Sequence, residues 1–198
     1  MNIIRQVASS IVKFKYMKRI IFYFCIAFGI SLANTVYHIP IEGTIDLGLP
    51  PFIERSIAEA EENNAKAIIF EVNTFGGRVD AATQIKDAIL DSKVPTVAFI
   101  NKRAISAGAL ISLSCEKVFM AGGATIGATT AVDMQGNKAS EKVISYMREE
   151  MAATAEKRGR DKYIARGMVD EELEFPNEVV KEFINDGQVV DTIKTKVY

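Results

Sequence analysis

Two short segments of the chain carry the residue types that acyl-transfer chemistry needs. The first ends in Gly76–Gly77, and the second contains Ser106 followed by Ala107 and Gly108. Glycine lets peptide N–H groups approach a ligand without an intervening Cβ. Such groups can stabilise the oxyanion that forms when a nucleophile attacks a carbonyl, and losing one costs about 2.7–4 kcal/mol. The segments predict an oxyanion hole beside a serine nucleophile; the simpler interpretations are a turn and a serine that caps a helix.

The base that would activate this serine is not a histidine. The chain has one histidine, His38, on a predicted first strand, where a structural role is the more common one. A Ser-His-Asp triad needs the imidazole within hydrogen-bond reach of the hydroxyl. The alternative is a lysine that burial keeps neutral, because desolvation lowers the pKa of an ammonium group.

Five lysines between the serine and the C-terminal tail are candidates for that base: Lys117, Lys138, Lys142, Lys157 and Lys162. Lys142 is favoured because it opens a predicted helix and precedes Val143, Ile144 and Met147, which indicate an inward-facing side. The positive end of the helix dipole also disfavours a charged lysine there. A solvated surface lysine is the plainer interpretation.

The N-terminal residues resemble an export signal. Lys18 and Arg19 precede an uncharged run over 20–33 that has small residues at Ser31 and Ala33. The run is shorter than the roughly 20 apolar residues that cross a bilayer, which favours a cleaved signal over a retained anchor. We therefore expect an extension and signal over 1–33, with Met17 as an alternative start, and export to the extracytoplasmic face of the membrane.

The composition of the remainder narrows the function further. Of the 24 basic residues, five precede residue 34, so 19 basic residues face 25 acidic ones, which argues against nucleic acid as a partner. Cys115 would be the remaining cysteine, so no disulfide is expected, and its apolar surroundings favour a core position. No metal-ligand spacing or phosphate-binding motif occurs, so no metal and no cofactor are predicted.

Strand and helix patterns alternate from Val36 onward, which predicts the α/β class with parallel strands. The run over 67–72 is nearly all apolar, as expected for a strand covered on both sides. The predicted strands are 36–41, 67–72, 94–100 and 117–120, and the predicted helices are 50–63, 79–90, 106–113, 141–158 and 161–168.

Several motifs together resemble the NfeD family of membrane-associated Clp-like serine proteases, which are related to signal peptide peptidase A. The resemblance runs from about Val36 to Pro176. It rests on the segments Ile39-Pro-Ile-Glu-Gly-Thr-Ile-Asp46, Asn73-Thr-Phe-Gly-Gly-Arg-Val-Asp-Ala81, Arg103-Ala-Ile-Ser-Ala-Gly-Ala109, Gly123-Ala-Thr-Ile-Gly-Ala128 and Lys138-Ala-Ser-Glu-Lys-Val143.

This resemblance implies the ClpP/crotonase fold, a repeated β-β-α spiral with mostly parallel sheets flanked by helices, over residues 34–176. It implies Ser106 as the nucleophile, Lys142 as the general base, and the N–H groups of Gly77 and Ala107 as oxyanion donors. Gly76 would help to bind substrate, and the strand over 73–77 would border the peptide as an edge strand. The activity implied is an exported serine endopeptidase that cleaves hydrophobic segments of membrane-associated proteins and assembles as a homo-oligomer.

The sequence also departs from the family pattern. Phe75 stands where the family usually has proline, and long members continue into membrane-spanning helices and a small β-barrel. Residues 177–198 do not follow the pattern and predict an irregular or truncated tail.

Two alternative functions are weighed against the peptidase. The first is a catalytically silent scaffold that binds a stomatin-like membrane protein. The second, an acyl-CoA hydratase or isomerase of the crotonase group, lacks matching carboxylates near Ser106, and an exported location does not suit coenzyme A.

Overall fold

The computed structural model describes residues 17–18, 35–132, 136–170, 178–185 and 188–196, the last two stretches by their backbone alone. Thr35–Tyr198 forms one compact unit, separate from Met1–Asn34. Apart from Met17 and Lys18, the predicted export signal lies outside the described residues. Within the described ranges, none of the helices combines the length and the apolar character needed to cross a membrane.

The predicted alternation of strands and helices is present, and the helices lie within one residue of their predicted bounds, whereas three strands are longer than expected. Strands β1, β2 and β3 each extend several residues past the predicted C-terminal end, and these extensions contain the candidate site. The strands are β1 (Val36–Ile45), β2 (Ala67–Gly77), β3 (Thr96–Ile105), β4 (Lys117–Met120), β5 (Thr125–Gly127), β6 (Glu178–Asn185) and β7 (Gln188–Lys196). The helices are α1 (Leu49–Glu62), α2 (Val79–Asp91), α3 (Ala107–Ser114), α4 (Glu141–Lys157) and α5 (Lys162–Gly167).

Strands β1 to β5 form one parallel sheet in the order β1-β2-β3-β4, with β5 also paired to β3. The register pairs Phe70 with Ile39 on one side and with Ala98 on the other. Strand β5 pairs with the end of β3, where Ile105 lies opposite Gly127. The C-terminal ends of β2 and β3 therefore lie together at one edge of the sheet, where open α/β sheets usually bind ligands.

One face of the sheet carries the core. Ile68, Phe70 and Val72 on β2 are fully buried, whereas the alternating residues Ile69 and Glu71 are half-buried. The expectation that this strand is covered on both sides was therefore wrong for this chain. An apolar run cannot distinguish two covered faces from one covered face and one of intermediate exposure.

The tail also differs from expectation. Where the sequence predicts an irregular segment over 177–198, the backbone forms an antiparallel hairpin of β6 and β7. Alternating Val and Ile residues suit such strands, but their pattern is too short to specify the pairing partner.

Helix α4, which carries Lys142, is held to neighbouring helices at two places along its length. Lys86 on α2 is 11% exposed and its Nζ lies 2.5 Å from Glu150 Oε1 on α4 and 2.8 Å from Asp87 Oδ1. At the other end, Arg158 Nε donates to Ser114 O at 2.6 Å, and Arg160 donates to Leu113 O and Cys115 O at 2.9 Å. These arginines satisfy carbonyls at the C-terminal end of α3, where a helix has no internal donors.

The buried Cys115 thiol should be chemically inert in the folded protein. Burial raises its pKa to about 12, even though Arg158 and Arg160 act in the opposite direction. The thiolate is the reactive form, so we expect no modification of Cys115 by a thiol reagent at pH 8 until the protein is unfolded. Mass spectrometry of a Cys25→Ser variant measures this, and rapid modification of the native protein at Cys115 would contradict it.

Replacing Lys86 by Met should destabilise the fold by about 1–3 kcal/mol at pH 7, because it leaves the Glu150 carboxylate without its cation in a largely buried position. Burial alone would lower the pKa of Lys86, but hydrogen bonds to Asp87 and Glu150 outweigh it, so the pKa is raised above its ordinary 10.5. The stabilisation that the charge of Lys86 supplies is therefore present below pH 10.5 and is lost as pH rises through the raised, folded-state pKa. Urea unfolding measures the difference in the free energy of unfolding between wild type and Lys86→Met. This difference should shrink in that alkaline range, and a difference that is independent of pH would contradict the role of the charge.

Candidate active site

Ser106 has an unusual backbone conformation at the junction of β3 and α3. Its φ is +54° and its ψ is −118°, a region that residues other than glycine rarely adopt and that tends to occur at functional sites. Its N–H donates to Gly127 O on β5 at 2.9 Å, which holds the turn in place. The serine side chain makes no hydrogen bond that caps α3. The structure therefore does not support the plain capping interpretation, and the hydroxyl is available for chemistry.

Gly76 lies directly against the Ser106 side chain. A Cβ added to Gly76 would lie 2.7 Å from Ser106 Cβ and 3.2 Å from Ser106 Oγ, and the residue has a φ of +107°. Both the space and the conformation require glycine. The Gly76 N–H donates to Thr74 Oγ1 at 2.9 Å, so it is already used and is not a free oxyanion donor.

The N–H groups of Gly77 and Ala107 are the other candidate donors to an oxyanion. Arg78 N–H donates to Ile45 O on β1 at 2.8 Å. Because N–H groups alternate in direction along a strand, that of Gly77 points to the opposite side, towards the end of β3. Ala107 is the first residue of α3, and its N–H has no acceptor within the helix. The Gly77 and Ala107 N–H groups thus belong to the two segments that meet at the contact between Gly76 and Ser106.

The predicted edge strand over 73–77 is not an edge along its length. Thr74 pairs with Ala104 on β3, and Gly76 and Gly77 pair with β1, so β2 is central in the sheet. Pairing with β3 stops at Thr74. Phe75, Gly76 and Gly77, at the end of β2, are therefore unpaired on the side of β3.

Thr74 is a positioning residue that the sequence analysis missed. Its buried hydroxyl donates to Gly43 O at the irregularity in β1 and accepts the Gly76 N–H. Its methyl group packs against Gly108 of α3, where an added Cβ would lie 2.5 Å from Thr74 Cγ2. One side chain thus links β1, the glycine pair and the serine helix. A buried threonine within an apolar strand gave no signal of this role.

Lys142 is the second residue of α4 and is exposed in the single chain. Tyr146, one turn later on the same side of the helix, lines a cavity with Arg78 and Val79, which directly follow Gly77. This places the face of α4 that carries Lys142 beside Arg78 and Val79. The inward-facing, buried lysine that the sequence predicts is not what the single chain has.

Of the other four candidate lysines, three are less well placed than Lys142, and the exception is Lys138. Lys117 pairs with Val97, near the start of β3 and away from Ser106, and Lys162 forms an ion pair with Glu156. Lys157 ends α4. Lys138 pairs with Val132 just before α4 and is also exposed, so it is the natural comparison for Lys142.

His38 takes no part in this arrangement. It pairs in register with Ile69, seven residues before Gly76, which is roughly 20 Å along the strand. Its Nε2 lies 2.7 Å from Glu71 Oε2, and Asn101 Nδ2 donates to Glu71 Oε1 at 2.8 Å. These contacts link three strands on the half-buried face of the sheet and give His38 a structural role.

Phe75 is exposed and lies against Arg103. Its ring is 73% exposed, and the Arg103 guanidinium lies over it at 4.4 Å from the ring centre. The change from the usual proline therefore leaves the glycine pair and its contact with Ser106 intact.

The described residues contain no cluster of histidine, cysteine or carboxylate side chains that could hold a metal ion. The chemistry available at this site is that of a serine hydroxyl, backbone N–H groups and lysine.

Comparison with known proteins identifies the class. The model of the NfeD1b N-terminal domain matches residues 35–185, so the chain belongs to that family. The fold is Clp-like: ClpP1 from Listeria monocytogenes superposes with a TM-score of 0.56 at 23% identity, covering 69% of this chain and 80% of that one.

Two curated proteins are similar in sequence to most of this chain. Membrane protein NfeD1b of Bacillus subtilis (strain 168) is 41% identical over 141 residues, which is 71% of this chain and 32% of the relative. Membrane-bound protease PH1510 of Pyrococcus horikoshii is 33% identical over 165 residues, 79% of this chain and 37% of the relative. The chain thus spans about a third of the length of both.

Solved structures of the N-terminal domain called 1510-N agree with this assignment. A serine-to-alanine variant of this membrane-bound stomatin-specific protease has a TM-score of 0.66 at 32% identity, covering 71% of this chain and 72% of that one. A lysine-to-alanine variant in complex with a substrate peptide has a TM-score of 0.67 at 32% identity, covering 72% and 68%.

Replacing Gly108 by Ala should lower the free energy of unfolding by about 1–3 kcal/mol, because the new Cβ would lie 2.5 Å from Thr74 Cγ2. Thr74→Ser removes that methyl and keeps the hydroxyl that bonds Gly76. The double variant should therefore recover most of the loss, as urea unfolding of the four proteins in a double-mutant cycle would measure. If the effects of the two substitutions were additive, the Thr74 methyl would not be the group that prevents a larger residue at position 108.

Proposed function

We propose that this chain is the peptidase domain of an NfeD-type protein and acts as a serine endopeptidase through Ser106 and Lys142. The observation that carries the proposal is the conformation of Ser106: a positive φ, a hydroxyl that caps no helix, and a side chain packed on Gly76. Strain of this kind costs of order 1–3 kcal/mol and is retained where a reactive group must be presented. The 1510-N relatives, with their serine and lysine variants and bound peptide, support the same assignment.

In the proposed mechanism, Ser106 Oγ attacks the scissile carbonyl carbon while neutral Lys142 Nζ takes the hydroxyl proton. The Gly77 and Ala107 N–H groups receive the developing oxyanion. The C–N bond then breaks, the lysine returns its proton to the leaving amine, and Ser106 carries an acyl ester. Water attacks this ester with the same lysine as base, which releases the carboxylic acid and restores the serine.

The exposure of Lys142 bears on when the site becomes active. A lysine can accept a proton only as the neutral amine, and contact with water favours the charged form, so the mechanism needs a cover that removes water from Lys142. A bound peptide or a neighbouring copy in a homo-oligomer would supply that cover. We therefore propose that the site is completed on assembly or on substrate binding.

The proposed substrates are hydrophobic segments of membrane-associated proteins, among them a stomatin-like protein. The support is that 1510-N is described as specific for a stomatin homologue from Pyrococcus horikoshii. The proposed location is the extracytoplasmic face of the membrane, which the signal-like sequence over 20–33 favours.

A fluorophosphonate probe tests the dyad directly. Wild type should be labelled on Ser106, as peptide mapping by mass spectrometry would show, and Ser106→Ala should lose the label. Lys142→Ala should slow labelling and peptide hydrolysis by about 10²–10⁴-fold, the usual contribution of a general base.

Lys138→Ala is the matched control, because it removes an exposed lysine four residues away while leaving the proposed base in place. It should keep the wild-type rate. Equal labelling of wild type, Ser106→Ala and Lys142→Ala would contradict the peptidase, and retention of a stomatin-like membrane protein by such an unreactive domain would favour the scaffold instead.

A further inference from the structure

An arginine and an exposed aromatic ring stack at the end of the sheet, beside the glycine pair. The Phe75 ring is 73% exposed, and the Arg103 guanidinium lies 4.4 Å from its centre. Phe75 alternates with the buried residues Thr74 and Gly76, so it lies on the face of β2 opposite to the one that contacts Ser106. We call these two side chains the Phe75–Arg103 platform, and the mechanism proposed above uses neither of them.

The Arg103 guanidinium keeps its capacity to bind a carboxylate. Within the described ranges of the chain, no ion pair or hydrogen bond joins it to an acidic side chain. The ring attracts the cation through its face, which leaves the N–H groups in the guanidinium plane for another partner. Glu71, on the same face of β2, is already bonded by His38 and Asn101. The platform therefore presents a cation whose in-plane donors remain available.

The charges around the platform do not cancel this cation. Lys102 is exposed, and in the part of the chain that the structure describes it also has no acidic partner. Arg78 and Asp80, which follow the glycine pair, form a bidentate pair at 2.9 and 2.6 Å and neutralise each other. The chain from residue 34 onward has 19 basic and 25 acidic residues, so this positive surface lies on an acidic domain. An anionic group is the complementary ligand.

The register places the platform next to the bond that would be cleaved. Phe75, Gly76 and Gly77 are unpaired on the side of β3, so an extended peptide can add a strand there. When the attacked carbonyl is held at Gly77, the peptide residue opposite Phe75 is two positions away, about 7 Å along the strand. Opposite residues on neighbouring strands have their side chains on the same face of a sheet. That side chain therefore meets the Phe75 ring and the guanidinium that lies over it.

We propose that the Phe75–Arg103 platform is a subsite that binds a carboxylate of the substrate, two residues from the one whose carbonyl is attacked. The carboxylate belongs to an acidic side chain or to the C-terminus of the peptide, since both offer the same planar pair of oxygens. This inference rests on the proposed peptidase function and adds a charged group to the apolar segments proposed as substrates.

The stacked ring makes this arginine a better ligand than an ordinary surface arginine. Exposed ion pairs are weak, partly because two long side chains must be ordered to form them. Arg103 is half-buried and its guanidinium is already held over the ring, so less ordering remains when a carboxylate binds. Arginine then binds both carboxylate oxygens through two parallel N–H groups, which lysine cannot do.

The test uses the full chain and apolar decapeptides that are blocked at both ends and carry one Glu or Gln in turn at each of three positions on either side of the central bond. Mass spectrometry of the products locates the cleaved bond. For wild type, kcat/KM should favour Glu over Gln by about tenfold at one position, two residues from the one whose carbonyl is attacked. Arg103→Gln should bring this ratio close to one, Arg103→Lys should retain part of it, and Phe75→Leu, which removes the ring, should lower it severalfold.

A second set of peptides separates the two sources of the carboxylate. These peptides end two residues beyond the cleaved bond, with either a free carboxylate or an amide. Faster cleavage of the free acid that depends on Arg103 identifies the C-terminus as the ligand. Equal rates, together with a Glu preference that depends on Arg103, identify an acidic side chain.

A binding measurement tests the platform without catalysis. Ser106→Ala should bind the blocked Glu peptide about tenfold more tightly than the Gln peptide by fluorescence anisotropy, and adding Arg103→Gln should remove the difference. Lys66→Gln is the matched control, because it removes an exposed cation that precedes β2, at the other end of the sheet. It should leave the Glu preference unchanged.

The outcomes separate the subsite from the peptidase. If wild type cleaves the peptides with no preference for Glu or for a free C-terminus, or if Arg103→Gln keeps such a preference, the subsite is overturned while the peptidase stands. If wild type cleaves none of them and the fluorophosphonate probe leaves Ser106 unlabelled, but the binding ratio depends on Arg103, the peptidase fails while the carboxylate site stands.

Discussion

The contact between Gly76 and Ser106 is the constraint on which the candidate site depends. The serine side chain occupies the space that a Cβ at residue 76 would need, so the end of β2 and the turn after β3 are in direct contact. That turn holds the serine at a φ of +54°, which the chain tolerates only because its surroundings fix it. The proposed oxyanion donors, the N–H groups of Gly77 and Ala107, belong to the two segments that this contact joins.

The surrounding structure maintains this contact from three directions. Thr74 ties the glycine pair to β1 through Gly43 and packs its methyl on α3. The short strand β5 accepts the Ser106 N–H through Gly127. On the far side, Arg158 and Arg160 bind the last carbonyls of α3 and so join the serine helix to the helix that carries Lys142. The proposed general base and nucleophile are thus on elements that are packed together, although Lys142 itself remains open to water.

Much of the architecture was predictable because its signals are local. The sequence pattern located helices α1 to α5 to within a few residues, and the glycine pair with the small residues around Ser106 marked the candidate site. The strand extensions were not predictable, since Thr74 and Arg103 are polar and follow no apolar pattern, although both pair with neighbouring strands. Likewise, a sequence cannot tell that Gly76 donates to Thr74 while Gly77 does not, because that difference follows from the direction of each N–H in the sheet. The exposure of Lys142 depends on what covers the chain, which composition and periodicity do not encode.

The most direct test of this account is a crystal structure of the domain after reaction with a fluorophosphonate. The account predicts phosphorus bonded to Ser106 Oγ and a phosphoryl oxygen within about 2.7–3.1 Å of the N–H nitrogens of both Gly77 and Ala107. An adduct whose phosphoryl oxygen contacts neither nitrogen, or an adduct on another residue, would contradict it.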